Sequence, residues 1–310
     1  MKPSADPSKI GTLLCLFSAL GYTAYNVCLR DASQHYDPSW INCVQSSVTV
    51  AVFGVYLGWQ AARGRRVLPP RNELLALLII SLITQFGNIL YVWAMSVVGV
   101  AVTSTLQTGV MLGASAILGL IVLGERVSAR QVAAIVLITI SMVFFSMGAQ
   151  SPGETPASPW LSLTIPLGIG AAALAGISFA LLTVGVRKTV TSNASPEAVV
   201  FLISTMGVVA MGPWCVYRLG VQTLLQTAPW DFAVMLAAGA MNLVAFLLVT
   251  KSLQMISVVR FNVLNNGLTT AMTAAIGVIL FREPWNGPLL LAMLLAMGGI
   301  LMISVAVRAE

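Results

Sequence analysis

Charge is what this sequence has least of: of 310 residues only 8% are charged, with ten acids and a single histidine. Soluble globular chains carry about a quarter charged residues, so that class is excluded. Hydrophobic residues make up 58% and the mean hydropathy is +0.91, which indicates an integral membrane protein. The four cysteines, Cys15, Cys28, Cys43 and Cys215, lie inside apolar segments and form neither a CxxC pair nor a Cys/His cluster. They read as small packing residues, and no metal or cofactor is expected. The formal charge of +6 does not point to nucleic acid, because the basic residues are scattered at the ends of apolar runs and no basic patch is interleaved with aromatics.

What is present is a series of apolar runs, each near the roughly 17 to 25 residues that span a bilayer. Ten can be read: Ile10 to Leu29, Pro38 to Ala61, Glu73 to Val97, Ala101 to Leu123, Ala129 to Gly148, Leu161 to Val186, Pro196 to Leu219, Phe232 to Ile256, Phe261 to Phe281 and Trp285 to Val307. Lipid satisfies no backbone hydrogen bonds and the runs do not alternate as barrel strands do, so all are expected to be helices. Met1 to Lys9 is short and polar with no cleavage site after the run that follows, so the first helix is expected to be retained. With the N-terminus cytoplasmic, 13 of the 16 Lys and Arg residues fall on the inner side; Arg30, Arg218 and Arg282 fall outside. This obeys the positive-inside rule and places both termini in the cytoplasm. The aperiodic stretch AQSPGETPASP, 149–159, reads as an outer linker between residues 1–148 and 160–310.

Self-similarity organises the rest. Aligning Glu125 in LGERVSARQ with Glu283 in LFREPWNG sets an offset of 158 (283 − 125). The same offset matches Leu106 with Leu264, Gln107 with Asn265, Gly109 with Gly267, Gly119 with Gly277 and Ser146 with Ser304. In the first helix of each half NVCLR, ending at Arg30, resembles TVGVR, ending at Arg187, at an offset of 157. Five helices per half is an odd number, so the halves must enter the membrane in opposite directions. The fold expected is an all-α integral membrane protein of ten transmembrane helices built as two inverted five-helix repeats.

The chain resembles the drug/metabolite transporter superfamily, in particular its bacterial ten-helix group with paired EamA domains. Leu123, Gly124, Glu125, Ser128 and Gln131 match that group's L-G-E-x-x-s/t-x-x-Q signature, and Phe281, Arg282, Glu283 and Pro284 match it in part, with Arg282 in place of the usual Gly. The resemblance implies a multi-pass transporter of the bacterial cytoplasmic membrane that exports amino acids or related metabolites, with exporters of the YddG type as the nearest specific group. The family's first-helix tryptophan is absent, and Tyr22 lies nearby instead.

On these spans every acid lies at a helix end, in a loop or at a terminus. A proton-coupled antiporter normally keeps an ionisable group at membrane depth, and none is visible. Glu125 and Glu283 therefore read as residues of inter-helix turns, with Ser128 and Gln131 at capping-box spacing and a conformational latch as an alternative role. Lys251 and Arg260 flank the turn before the ninth helix, where snorkelling, gating and recruitment of an anionic group all remain open.

Uncharged polar residues instead recur at helical spacing. The first helix offers Ser18, Tyr22, Tyr25 and Asn26; the second Asn42, Gln45 and Thr49; the third Ser81, Thr84, Gln85, Asn88 and Tyr91. The fourth offers Thr103, Gln107 and Thr108, and the ninth Asn262, Asn265, Asn266, Thr269 and Thr273. Such residues also join helices by hydrogen bonds, but spread over five helices they favour an inward-facing wet cavity. The candidate substrate-binding set is Tyr22, Tyr25, Asn26, Gln45, Gln85, Asn88, Tyr91, Trp93, Gln107, Asn262, Asn265 and Asn266. Amides, hydroxyls and aromatic rings without a midplane charge suit a neutral or zwitterionic solute with an apolar portion.

Gly109 and Gly113 form a GxxxG pair that predicts close helix contact, within one chain or between two, so a monomer suffices and a homodimer stays open. Pro166 and Pro213 predict kinks. An exchanger of phosphorylated or nucleotide-linked solutes is the main rival and should present several basic residues to the cavity; drug efflux is a further alternative. An intramembrane enzyme would need a nucleophile with a base, paired acids or a metal, none of which this pattern supplies.

Overall fold

Apolar runs interrupted by proline, glycine and charge dictate where the helices start and stop. The computed structural model describes residues 7–65, 67–124, 128–148, 159–192, 194–280 and 287–306. Helices are the only regular secondary structure among the described residues, which contain no strand. The helices are α1 (Pro7–Ala32), α2 (Pro38–Ala62), α3 (Arg71–Val98), α4 (Val100–Leu118), α5 (Ala129–Gly148), α6 (Pro159–Thr191), α7 (Pro196–Leu219), the five-residue α8 (Val221–Leu225), α9 (Pro229–Leu253), α10 (Val258–Leu280) and α11 (Gly287–Ala306). Among the described residues seven helices are long and apolar enough to cross a membrane by length and composition. The other long helices, α5, α10 and α11, have 20, 23 and 20 residues.

Local chemistry accounts for several boundaries. Asp37 caps α2 by accepting from Ser39 N at 2.9 Å, and Ser195 caps α7 by accepting from Ala198 N at 3.2 Å. Each cap is followed by a proline at the first helical position, where the missing N–H costs nothing. At its C-terminal end α4 widens into a π turn, Gly119–Leu123, and Gly124 at φ 66° supplies the left-handed residue that lets the chain leave. Glu125, Glu283 and the linker up to residue 158 lie outside the described residues.

The sixth helix departs from its expected end at Val186. Arg187 and Lys188 look like the flank of a membrane span, yet α6 continues to Thr191. Arg187 is only half-exposed, because its guanidinium turns inward to donate to the Leu253 carbonyl. The short α8 was also not expected; it fills the connection between α7 and α9.

The helix starts repeat. Pro38, Arg71, Val100 and Ala129 open α2 to α5, and Pro196, Pro229, Val258 and Gly287 open α7 and α9 to α11, each 158 residues later (196 − 38 for the first). The packing repeats with them. α1 lies along α9 as α3 lies along α6, α1 meets α10 as α6 meets α4, and α2 meets α9 as α7 meets α3. α2 packs on α7, α4 on α10 and α5 on α11, pairs that map onto themselves when counterpart helices are exchanged.

Contact points at the crossings repeat too. A Cβ on Gly21 would stand 2.9 Å from Ala245 Cβ between α1 and α9, and a Cβ on Gly87 would stand 2.8 Å from Ser178 Cβ between α3 and α6. Ser178 is the counterpart of Gly21 and Ala245 that of Gly87, so each crossing keeps one glycine, on opposite partners. In a bilayer, where lipid competes for apolar surface, close approach over small residues is what holds helices together. Gly113 contributes nothing of this kind, since a Cβ there would meet nothing within 4 Å. The tight approach to α4 comes from α6 instead: a Cβ on Gly176 would lie 2.6 Å from the Gln107 carbonyl oxygen.

Candidate functional site

Two three-helix groups, α1 with α9 and α10, and α6 with α3 and α4, face each other across the middle of the bundle. Between them, completed by α2 and α7, lies a cavity of about 150 Å³. Among the described residues, none that lines it is Lys, Arg, His, Asp or Glu.

The cavity brings together nine of the twelve candidate residues: Tyr22, Tyr25 and Asn26 of α1, Gln85, Asn88 and Tyr91 of α3, Gln107 of α4, and Asn265 and Asn266 of α10. The other three stand behind it. Gln45 is buried and donates through Nε2 to Asn42 Oδ1 at 3.0 Å, so Asn42 reaches the cavity in its place. Asn262 is fully buried and accepts from Asn266 Nδ2 at 3.1 Å. Trp93 packs against a small alanine cluster, Ala94, Ala171 and Ala172. Helical spacing alone does not separate a lining residue from the one a third of a turn behind it.

The amides form directional chains. Asn42 Nδ2 donates to Gln85 Oε1 at 2.8 Å, Asn88 Nδ2 donates to the same oxygen at 3.4 Å, and Gln85 Nε2 donates to the Ile203 carbonyl at 2.9 Å. Gln85 thus ties α2, α3 and α7 at one point, with its amide orientation set by its partners. On α10, Asn265 accepts from Ser18 of α1 and donates to Asn266 Oδ1 at 3.4 Å. Tyr91 OH donates to Asn26 Oδ1, and Asn26 Nδ2 donates to Thr273 Oγ1, both at 3.4 Å. The rings stack edge to face, Tyr22 on Tyr25 with centroids 6.0 Å apart and Tyr91 on Phe179 with centroids 5.8 Å apart.

Several lining residues escaped the sequence reading. Asn242 lines the cavity from α9 as the counterpart of Thr84, which also lines it. Phe246, Val249, Leu253 and Phe261 form an apolar side. Apolar lining has no signature of its own in a membrane helix, but the 158-residue offset relates Phe246 to Asn88 and Val249 to Tyr91.

Of the residues assigned possible gating roles, Lys251 and Arg260 are elsewhere, and Glu125 and Glu283 lie outside the described residues. Lys251 Nζ pairs with Glu197 Oε1 at 3.6 Å. Arg260 donates to Ser8 Oγ at 2.8 Å and Thr12 Oγ1 at 2.9 Å, fastening the start of α1 to the start of α10. Neither lines the cavity.

Comparison with known proteins agrees with this architecture. No curated protein matches the sequence. Among 28 matching chains of known structure, one described only as a crystal structure of a protein superposes with a TM-score of 0.70 at 15% identity, over 96% of this chain and 98% of that one. This is a likeness of fold alone. The model of the EamA-like transporter family matches twice, over residues 9–147 and 166–305. With an EamA domain in each half and apolar helices throughout, the chain belongs to the EamA-like transporter family of the drug/metabolite transporter superfamily and is a multi-pass membrane transporter.

Proposed function

We propose that the protein exports amino acids or related neutral or zwitterionic metabolites by alternating access between two inverted five-helix halves, residues 1–148 and 160–310, joined by an outer linker. In this reading both termini are cytoplasmic and the membrane is the bacterial cytoplasmic membrane. The exchange symmetry of the helix packing supports the inverted halves, and the distribution of Lys and Arg supports the orientation.

One observation carries the substrate class: the described residues lining the cavity are amides, hydroxyls and rings on one side and apolar side chains on another, with no charged residue among them. A phosphorylated solute would bring net charge into a site whose described lining offers no cation to receive it, at a large desolvation cost. A zwitterion carries no net charge, and its ammonium and carboxylate find acceptors and donors in Asn26, Asn88, Gln107 and Asn265, with its side chain against Phe246 and Val249.

The test is uptake into proteoliposomes with labelled amino acids, sugars, phosphorylated solutes and cationic dyes, with and without a proton gradient. Movement of amino acids with apolar side chains is the expected result. Transport confined to phosphorylated solutes or to cationic dyes contradicts the proposal.

A further inference from the structure

The paired motifs NVCLR and TVGVR end in two arginines that the substrate site does not use. Arg30 Nη1, on α1, donates to the Met95 carbonyl of α3 at 2.8 Å. Arg187 Nη1, on α6, donates to the Leu253 carbonyl of α9. The two bonds are counterparts: Arg187 follows Arg30 by 157 residues (187 − 30), and Leu253 follows Met95 by 158 (253 − 95). In both, a half-buried guanidinium binds a carbonyl in the last turn of a helix, where the oxygen lacks an intrahelical partner or shares one and the helix dipole is negative.

Their placement gives them opposite tasks. α1 runs antiparallel to α9, since Gly11 faces Met255 and Gly21 faces Ala245. Arg187 therefore lies at the end of the bundle where α1 begins and α9 finishes, and Arg30 lies at the other end, where α1 finishes. The α1·α9 pair and the α3·α6 pair are each closely packed, while α1 touches α3, and α6 touches α9, far less extensively. Each arginine thus crosses the seam between the same two helix pairs, one at each end of the cavity.

We infer that Arg30 and Arg187 are the two opposed gate latches of the transport cycle, each holding one end of the cavity shut by joining the α1·α9 and α3·α6 pairs. This rests on the transporter reading for its consequence, which is that opening either face requires one guanidinium–carbonyl bond to break while the other holds. The structure has both bonds made. The two ends are not equally thick. Leu253 and Val186, beside the Arg187 latch, line the cavity itself, whereas Leu29 and Met95, beside the Arg30 latch, lie behind it in a packed cluster with Tyr25, Tyr91 and Val92. Arg187 therefore guards the thinner gate.

Sided labelling of the full chain tests this. Ser204→Cys places a thiol in the cavity lining, and a membrane-impermeant maleimide is applied to sealed vesicles of each orientation, with the chain lacking the reporter as background. Arg30→Met is expected to raise labelling about tenfold from the face at the α1 C-terminus only, and Arg187→Met by at least as much from the opposite face only, as loss of a charge-assisted hydrogen bond predicts. If the methionine variants do not insert, Arg30→Lys and Arg187→Lys carry the test, with the same one-sided pattern at smaller size. Labelling that rises from the same face in both, from both faces equally, or in neither overturns the inference. Labelling needs no substrate, so one-sided labelling alongside a failed uptake panel would sink the substrate proposal and leave the latches, while intact transport with unchanged labelling would do the reverse.

Discussion

The two halves present different walls to the cavity from equivalent positions. The first half offers Asn88 and Tyr91 to the cavity where, at the same offset, the second half offers Phe246 and Val249; Val200 and Leu243, the counterparts of the lining residues Asn42 and Gln85, are not part of the lining. The helix starts and crossing contacts repeat while these side chains do not. Backbone repetition builds a symmetric cradle; both halves contribute amides to it, Gln107 being matched in kind by its counterpart Asn265, and divergence at Phe246 and Val249 adds the apolar side. A cavity between two identical walls would be amide-lined or apolar on both sides, and neither suits a solute with one polar end and one apolar end.

Making the first wall resemble the second should have the largest effect. Gln85→Leu copies Leu243 and removes the common partner of Asn42, Asn88 and the Ile203 carbonyl. Each buried polar group left unpaired costs roughly 1–3 kcal/mol, so a clear drop in thermal stability in detergent and loss of uptake are expected. A variant as stable and active as its parent would show that the relay holds nothing.

Differences in packing between the halves give a smaller effect. Ala19 of α1 already carries a Cβ beside α10, where Thr269 donates to its carbonyl, but its counterpart Gly176 faces α4 backbone. Gly176→Ala should therefore destabilise by about 1–3 kcal/mol through overpacking, whereas Gly113→Ala, which points into open space, should stay within about 0.5 kcal/mol. Melting curves for the two variants decide this, and equal shifts would place the tight contact elsewhere.

The order of the long helices was legible in the sequence because bilayer thickness limits span length and charge marks the ends, whereas the short α8 and the extension of α6 to Thr191 were not. The repeat was legible because Glu125, Glu283 and the gapless spacing fixed its register, although both acids lie outside the described residues. The polar half of the cavity was legible because amides at helical spacing in lipid must face protein or water. Two things were not. Phe246 and Phe261 look like any other apolar residue of a membrane helix, so only their tertiary position shows them lining the cavity. Arg187 looks like a positive-inside marker and Arg30 like a snorkelling helix end; their inward turn depends on which carbonyls the neighbouring helices present.

Asymmetry of the two walls is most directly tested by exchanging one counterpart pair. Asn88→Phe, Phe246→Asn and the double exchange are reconstituted, and uptake of an amino acid with an apolar side chain is competed against one with an amide side chain. Phe246→Asn should shift preference toward the amide side chain by roughly tenfold, the scale set by one well-placed polar contact in a pocket. Asn88→Phe should weaken uptake of both, and the double exchange should recover part of it. Unchanged preference in Phe246→Asn, with uptake intact, would contradict the assignment of the second-half wall to the apolar end of the substrate.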